Sequence, residues 1–356
     1  MIVYRIFDLA EEIDLRAVES ALQSRQTTSR LSLARSTGRN LVVRNAPVTL
    51  SLGPSKIRIG KAQMDTDVYA RIWDYGVVSI QFHVPLQSGT TWDDLVLLAA
   101  AAEDDNDFDQ ASRTRASELL PALAAAFKQP HDPHGMEDYI VYFIEEIDGI
   151  GSIAALAEVV DVPALILGEP STTLSARVRK SILESTFQYS TSDLAIIDWN
   201  SALVVEPGGS RDVPDMLEFA ATHLTEFRYF DELLDIRLEQ LYDSVERRRV
   251  SLFRGKYEEL SREAGALYIE FSDFVERVDN SLKFVGDFYL ATIFRAAVAR
   301  FNMREWEESV TRKMSTLARV SELLKSQVDV QRSHWLEIIV IVLILFELVS
   351  AIVKIS

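Results

Sequence analysis

The chain has 356 residues, 48% of them apolar, enough for two or three domains with a sizeable core. Its 54 acids against 37 bases leave a net charge of −17, which argues against general nucleic-acid binding, because phosphate affinity comes largely from counterion release by Lys and Arg. It has no cysteine, which excludes disulfides, thiolate zinc sites and cysteine nucleophiles.

The opening stretch, MIVYRIFDLAEEIDL, has neither a basic region followed by an apolar one nor an Arg- and Ser-rich, acid-poor composition. It reads as neither a secretory signal nor a mitochondrial transit peptide, but as a strand over 2–7 followed by a helix. Further strands are predicted at 41–44, 48–52, 57–59, 68–72, 77–82, 139–147, 164–167, 194–197 and 202–205. Helices are predicted at 14–24, 92–103, 110–127 and 172–185. NAP at 45–47 and GPS at 53–55 are turn signals between strands. Residues 1–207 are thus expected to form an α+β head domain with a mainly antiparallel sheet.

Few stretches of the head invite chemistry. AAAEDDNDFDQ (100–110) lacks the EF-hand spacing and reads as a solvated loop at a helix start. GPSKIRIGK (53–61) has six residues between its glycines where a P-loop has four. HDPHG (131–135) brings His131, Asp132 and His134 together without a visible third ligand, and reads as an exposed turn; no metal is expected. The best enzyme candidate is 139–169: a strand, then Gly149, Gly151 and Ala154 in G-x-G-x-x-A order, a short helix, a second strand and Glu169. That order suits a dinucleotide, with Glu169 on the ribose. Against it, Asp148 would repel the pyrophosphate, the helix is only about two turns long, and a tight turn with Ser152 as N-cap explains the same residues. No cofactor is expected.

Residues 212–332 change character. LEFAATHLTEFRYFDELLDIRLEQLYDSVERRR (217–249) has one long helical pattern, with Leu234, Leu238, Leu241 and Val245 at heptad spacing. Two more helices are predicted at 254–282 and 289–328, giving an antiparallel bundle or stalk. Arg247, Arg248 and Arg249 close the first helix, where cations suit the dipole; the alternative is a patch for lipid headgroups or RNA phosphate.

HWLEIIVIVLILFELVSAIVKIS (334–356) is read as a transmembrane anchor over 335–353, reaching roughly 28 Å. Basic residues on its N-terminal flank predict a cytoplasmic N-terminal domain, hence a single-pass, tail-anchored protein of the bacterial inner membrane. Trp335 and Glu337 are placed at headgroup depth. Glu347 lies deeper and is read as an interfacial acid or as a contact to another helix.

The glutamate-bearing terminal span, with YRIFDLAEEIDL, DYGVVSIQF, STSDLAIIDWNSALVVEP, LTEFRYFDELLD and GDFYLATIFRAAVARFNMREWEESVTRKM in that order, resembles the required-for-meiotic-nuclear-division family (domain of unknown function 155), in its bacterial form. The resemblance implies an α/β-type head, a helical stalk and one C-terminal span. It also implies an association of mitochondrial members with translation, and it carries no catalytic residue. The expectation is therefore a non-enzymatic tail-anchored scaffold or tether. Its head would bind an unidentified protein partner, its helices would self-associate into a homo-oligomer, and its membrane contacts would be Trp335, Glu337 and Glu347. A ribosome or RNA tether and a nucleotide sensor using Gly149, Gly151 and Glu169 are the alternatives.

Overall fold

The computed structural model describes residues 1–22, 28–30, 46–103, 106–246, 262, 265–269, 271–276 and 288–355; side chains at 28–30, 106, 132–135, 241, 243–246, 321, 323–336, 338 and 346–355 lie outside the description. The described strands are β1 (Ile2–Ile13), β2 (Thr28–Arg30), β3 (Val48–Ile59), β4 (Ala62–Ile72), β5 (Val77–His83), β6 (Phe127–Ile144), β7 (Thr186–Phe187), β8 (Leu194–Ile197) and β9 (Ser201–Val205). They form one nine-stranded mixed sheet in the order β2-β3-β4-β5-β1-β6-β9-β8-β7. Every neighbouring pair is antiparallel except β6 and β9, which run parallel.

The sheet is buried on both faces. On one face Val3, Phe7, Ile80, Phe82, Ile140 and Leu203 belong to a continuous apolar core. That core is closed by α1 (Leu15–Leu22), α2 (Trp92–Glu103), α3 (Asn106–Leu123), α4 (Leu156–Val159), α5 (Val162–Ile166) and α6 (Ala176–Leu183). The other face presents Tyr4, Arg71, Trp73, Gln81 and Tyr139, all buried. It is covered by the first turns of α7 (Asp212–Glu246) and by α8 (Phe288–Arg300). Phe219 stacks on Trp73 at 5.1 Å and meets Phe294 at 5.6 Å, so both helices sit on this face.

Several predicted boundaries moved for local reasons. The GPS signal lies inside β3: Gly53, at φ +79°, forms a bulge in the pairing with β4, so the strand bends and continues. The turn falls instead at Gly60, at φ +59°. Residues 164–167, expected as a strand, lie mainly in α5, because Asp161 accepts from the Ala164 backbone N–H and Pro163 sits in the first turn. HDPHG lies within the 18-residue β6, not in a turn. The strand expected at 41–44 lies outside the described residues, as does most of the helix expected at 254–282.

The chain divides into two compact units. One is Met1–Tyr229 with Glu276–Trp306; the other is Phe230–Val275 with Glu307–Ser356. In the second, Phe230 packs on Phe271 at 5.2 Å and Phe274 at 5.9 Å, and Leu234, Val310, Met314 and Leu317 are buried. Lys313 bridges Asp231 at 2.8 Å and Asp235 at 2.6 Å.

The second unit also carries a correction. Helix α9 (Met303–Ile355) is continuous over 53 residues. Among the described residues no helix is long and apolar enough to cross a membrane. This overturns the expected transmembrane anchor at 335–353 in the fold, and with it the single-pass, tail-anchored inner-membrane placement. Glu337 is exposed on α9, whereas the side chains of Trp335 and Glu347 lie outside the described residues.

Candidate functional site

A dense polar cluster lies where α7 docks on the sheet. Its first turns, DVPDMLEFAATHLTEFRY, place Asp215, Glu218, Thr222, Glu226 and Tyr229 at spacings of three and four, so they share one helical face. Val213, Met216, Leu217, Ala220, Ala221, Leu224 and Phe227 fill the other sides and are buried. A helix apolar on most sides with one polar stripe needs a polar wall to face. The sheet supplies it through alternate residues of β4 and β5, Arg71 on one strand and Gln81 and His83 on the other.

Arg71 is the hub. Its Nη1 donates to Asp215 Oδ1 at 2.8 Å and to Glu218 Oε2, while its Nε donates to Thr49 Oγ1 at 3.2 Å. The Glu218 side chain is fully buried, and burial raises its pKa against the opposing pull of Arg71. Its second oxygen accepts from Gln81 Nε2 at 2.7 Å. Gln81 Oε1 in turn lies 3.2 Å from His83 Nε2, and Arg211 Nη1 lies 2.7 Å from His83 Nδ1. An arginine only donates, so Nδ1 accepts and His83 carries its proton on Nε2. Burial, then the Arg211 charge, pushes the His83 pKa down to about 3, which agrees with that neutral tautomer.

Further along, Tyr75 Oη lies 2.7 Å from Thr222 Oγ1, which donates to the Phe219 carbonyl at 2.7 Å; the tyrosine is therefore the donor of the pair. Near the end of this unit Arg228 Nη1 meets Glu137 Oε2 at 2.6 Å and lies over the Trp306 ring at 5.4 Å. Burial lifts the Glu137 carboxyl to about 7 although Arg228 opposes it. His131 stacks on Tyr229 with ring centroids 4.9 Å apart and holds Nε2 3.5 Å from Asp8 Oδ1. Chemically this is a zipper. The pairs Arg71–Glu218, Gln81–Glu218, Tyr75–Thr222 and Arg228–Glu137 fix the register of α7 on the sheet, since an error of one residue would bury unmatched charge.

The residues singled out by sequence are arranged otherwise. Gly149, at φ +78°, and Gly151 lie in the turn after β6 with open space around them. A four-residue α4 and then α5 follow, so the second strand of a βαβ unit is not formed. Ser152 precedes a short 3-10 turn without a side-chain cap bond. Glu169 Oε2 accepts from Thr172 Oγ1 at 2.6 Å. Arg247, Arg248 and Arg249 lie outside the described residues. An open depression of about 710 Å³ runs along α3, lined by Asp109, Arg113, Ser117 and their neighbours on that helix. Among the described residues no group of three or more His, Asp or Glu is placed to hold a metal ion. Arg71, Gln81 and Glu218 were not singled out from sequence. Their signal was there, as charged and amide side chains interrupting otherwise apolar strand and helix patterns.

The fold and its polar dock can be set beside known proteins. An uncharacterized protein MJ0711 of Methanocaldococcus jannaschii is 23% identical over 239 residues, which cover 67% of this chain and 73% of the relative. No solved structure matches. A family model described as the N-terminal domain of uncharacterized protein MJ0711 matches residues 1–211, stopping just before α7 begins. These matches support an uncharacterised domain family and do not extend to the required-for-meiotic-nuclear-division assignment. Because the matched stretch is more than half of the chain, the protein belongs to the family of the MJ0711 N-terminal domain.

Proposed function

We propose that this protein is a non-enzymatic scaffold, in which the sheet head is a rigid partner-binding module and the helical unit self-associates into a homo-oligomer. The observation that carries the reading is residues 339–345 of α9, seven consecutive large apolar side chains each 50–61% exposed. Seven consecutive helical positions cover the whole circumference, so this segment is apolar on every side. Such a segment has to be surrounded, and several further copies of α9 supply surface of the same chemistry. Elsewhere in the unit Tyr268 and Ile269 are also exposed, at 60% and 63%. The non-enzymatic part of the reading is supported by the start of the α7 zipper, where Arg71, Gln81, Asp215 and Glu218 are engaged with one another. The finer assignment to the required-for-meiotic-nuclear-division family rests on the ordered sequence motifs, and it too favours a scaffolding role.

Sedimentation velocity of the full-length protein over a hundredfold range of concentration tests this. An assembly of three or more copies is expected, dissociated by the double substitution Ile341→Asp, Leu345→Asp without loss of helical circular dichroism. A monomer throughout, or an assembly indifferent to the double substitution, would overturn the self-association reading.

A further inference from the structure

Helices α7 and α9 run parallel. Ser309 Oγ donates to Asp231 at 2.9 Å, and Lys313 meets Asp231 at 2.8 Å and Asp235 at 2.6 Å, so the contacts advance along both helices in the same direction. Leu234 of α7 and Val310, Met314 and Leu317 of α9 are buried here. The three α9 residues are spaced by four and three, which are positions d, a and d of a heptad. Continued at that spacing from 321 to 352, the seam reads S-L-V-Q-W-I-V-L-V-I. Every charged residue from Arg319 to Lys354 lies off it. Glu337 and Glu347, the two acids of the apolar stretch, fall at c and f, on the outer side. Within 339–345 the seam positions are Val342 and Leu345, both exposed.

We propose that copies of α9 meet along this seam in parallel and in register, each residue level with the same residue of its neighbours. The inference rests on the self-association reading and adds the orientation to it. Two features set the direction. An antiparallel overlap centred on 339–345 brings Gln331 level with Val353, which encloses an amide with no polar group to answer it. A parallel overlap brings Gln331 level with Gln331, where amides both donate and accept, and such a polar layer holds one register. The second feature is the pairing of α7 with α9, which already packs the start of this seam in parallel. Ile338 and Ile352, β-branched at d, suit three or more strands better than two, in keeping with a segment that is apolar on every side. Parallel assembly brings the N-termini of α9 together.

The chain has no cysteine, so single introduced cysteines report the geometry. Val328→Cys and Val349→Cys, made separately in the full-length protein, place thiols at two a positions about 31 Å apart along the helix. An antiparallel overlap has one centre, and only residues at that centre meet their own copies. A disulfide needs Cα atoms within about 7 Å. Under mild oxidation both variants should form an interchain disulfide, about tenfold more of it than Ser333→Cys, whose position f faces outward. Sedimentation of the unsubstituted protein is read alongside. A monomer would overturn the self-association reading, and this inference with it. An assembly in which one or neither seam variant forms the disulfide, or in which Ser333→Cys forms as much, would overturn the parallel register alone.

Discussion

Gln81 Nε2 donates to Glu218 Oε1 at 2.7 Å across 137 residues of sequence, and the other oxygen of the same carboxylate takes Arg71. One fully buried carboxylate thus ties β4 and β5 to α7. The amide and the guanidinium come from adjacent strands, and their separation is set by strand pairing before α7 arrives. The sheet is in this sense a preformed receptor for one position of one helix. Because the matched family model stops at residue 211, the receptor lies within the family domain and Glu218 lies beyond it.

Removing one member of this buried group should cost far more than changing its charge. Glu218→Ala leaves Arg71 in the dock with Asp215 alone and strands the Gln81 amide; a loss of roughly 3–5 kcal/mol is expected. Glu218→Gln keeps an acceptor for Arg71 and should cost clearly less. Denaturant unfolding of the full chain followed by circular dichroism checks the order. Equal losses for both substitutions would mean that the negative charge, and not the shape of the side chain or a remaining acceptor, is what the dock requires.

The alternation of apolar residues made β1, β5, β8 and β9 legible in the sequence, as did the helical periodicity of α2 and the start of α7. What was not legible depended on distant pairing. GPS at 53–55 has the composition of a turn, yet Gly53 is absorbed as a bulge because β4 pairs on both sides of it. Residues 164–167 have strand composition, yet the Asp161 cap and Pro163 turn them into helix. HDPHG looked like a turn because histidine, aspartate and proline are frequent there. It is drawn into β6 by pairing with β1, where Asp8 lies opposite His134. The zipper could have been suspected from Glu218 and Glu226 in an apolar helix, but which strand would answer them is set by the sheet order, and local periodicity is silent on that.

Two titrating groups on this face should oppose each other in global stability. The folded pKa of Glu137, about 7, lies above its ordinary value, so its contribution is complete below about pH 4.5 and is lost as pH rises through 7. The folded pKa of His83, about 3, lies below its ordinary value of ~6.5. Its contribution is complete above 6.5 and is lost as pH falls toward 3, because the unfolded chain then binds the extra proton. Between about pH 4.5 and 6.5 the two slopes have opposite sign, so their joint contribution should be nearly flat. His83→Gln should leave stability rising as pH falls through that window, and Glu137→Gln should leave it falling. Urea titrations at half-unit intervals check this, and slopes of the same sign in both variants would contradict the opposition.

Gly76 and Gly53 both adopt positive φ, at +98° and +79°, but they should not tolerate alanine equally. Around Gly53 there is no atom within 4 Å of where a Cβ would stand, so Gly53→Ala meets only the backbone penalty, about 1–2 kcal/mol. At Gly76 the same atom would lie 1.6 Å from the Ala10 carbonyl oxygen, on backbone that cannot swing aside, because Leu9 N–H is bonded to the Gly76 carbonyl at 3.2 Å. The added atom would also lie 3.3 Å from Asp8 Oδ1. Gly76→Ala must therefore push the β4–β5 turn away from β1, and should cost clearly more than Gly53→Ala. A melting temperature for Gly76→Ala no lower than that of Gly53→Ala would show that the turn can yield without disturbing β1.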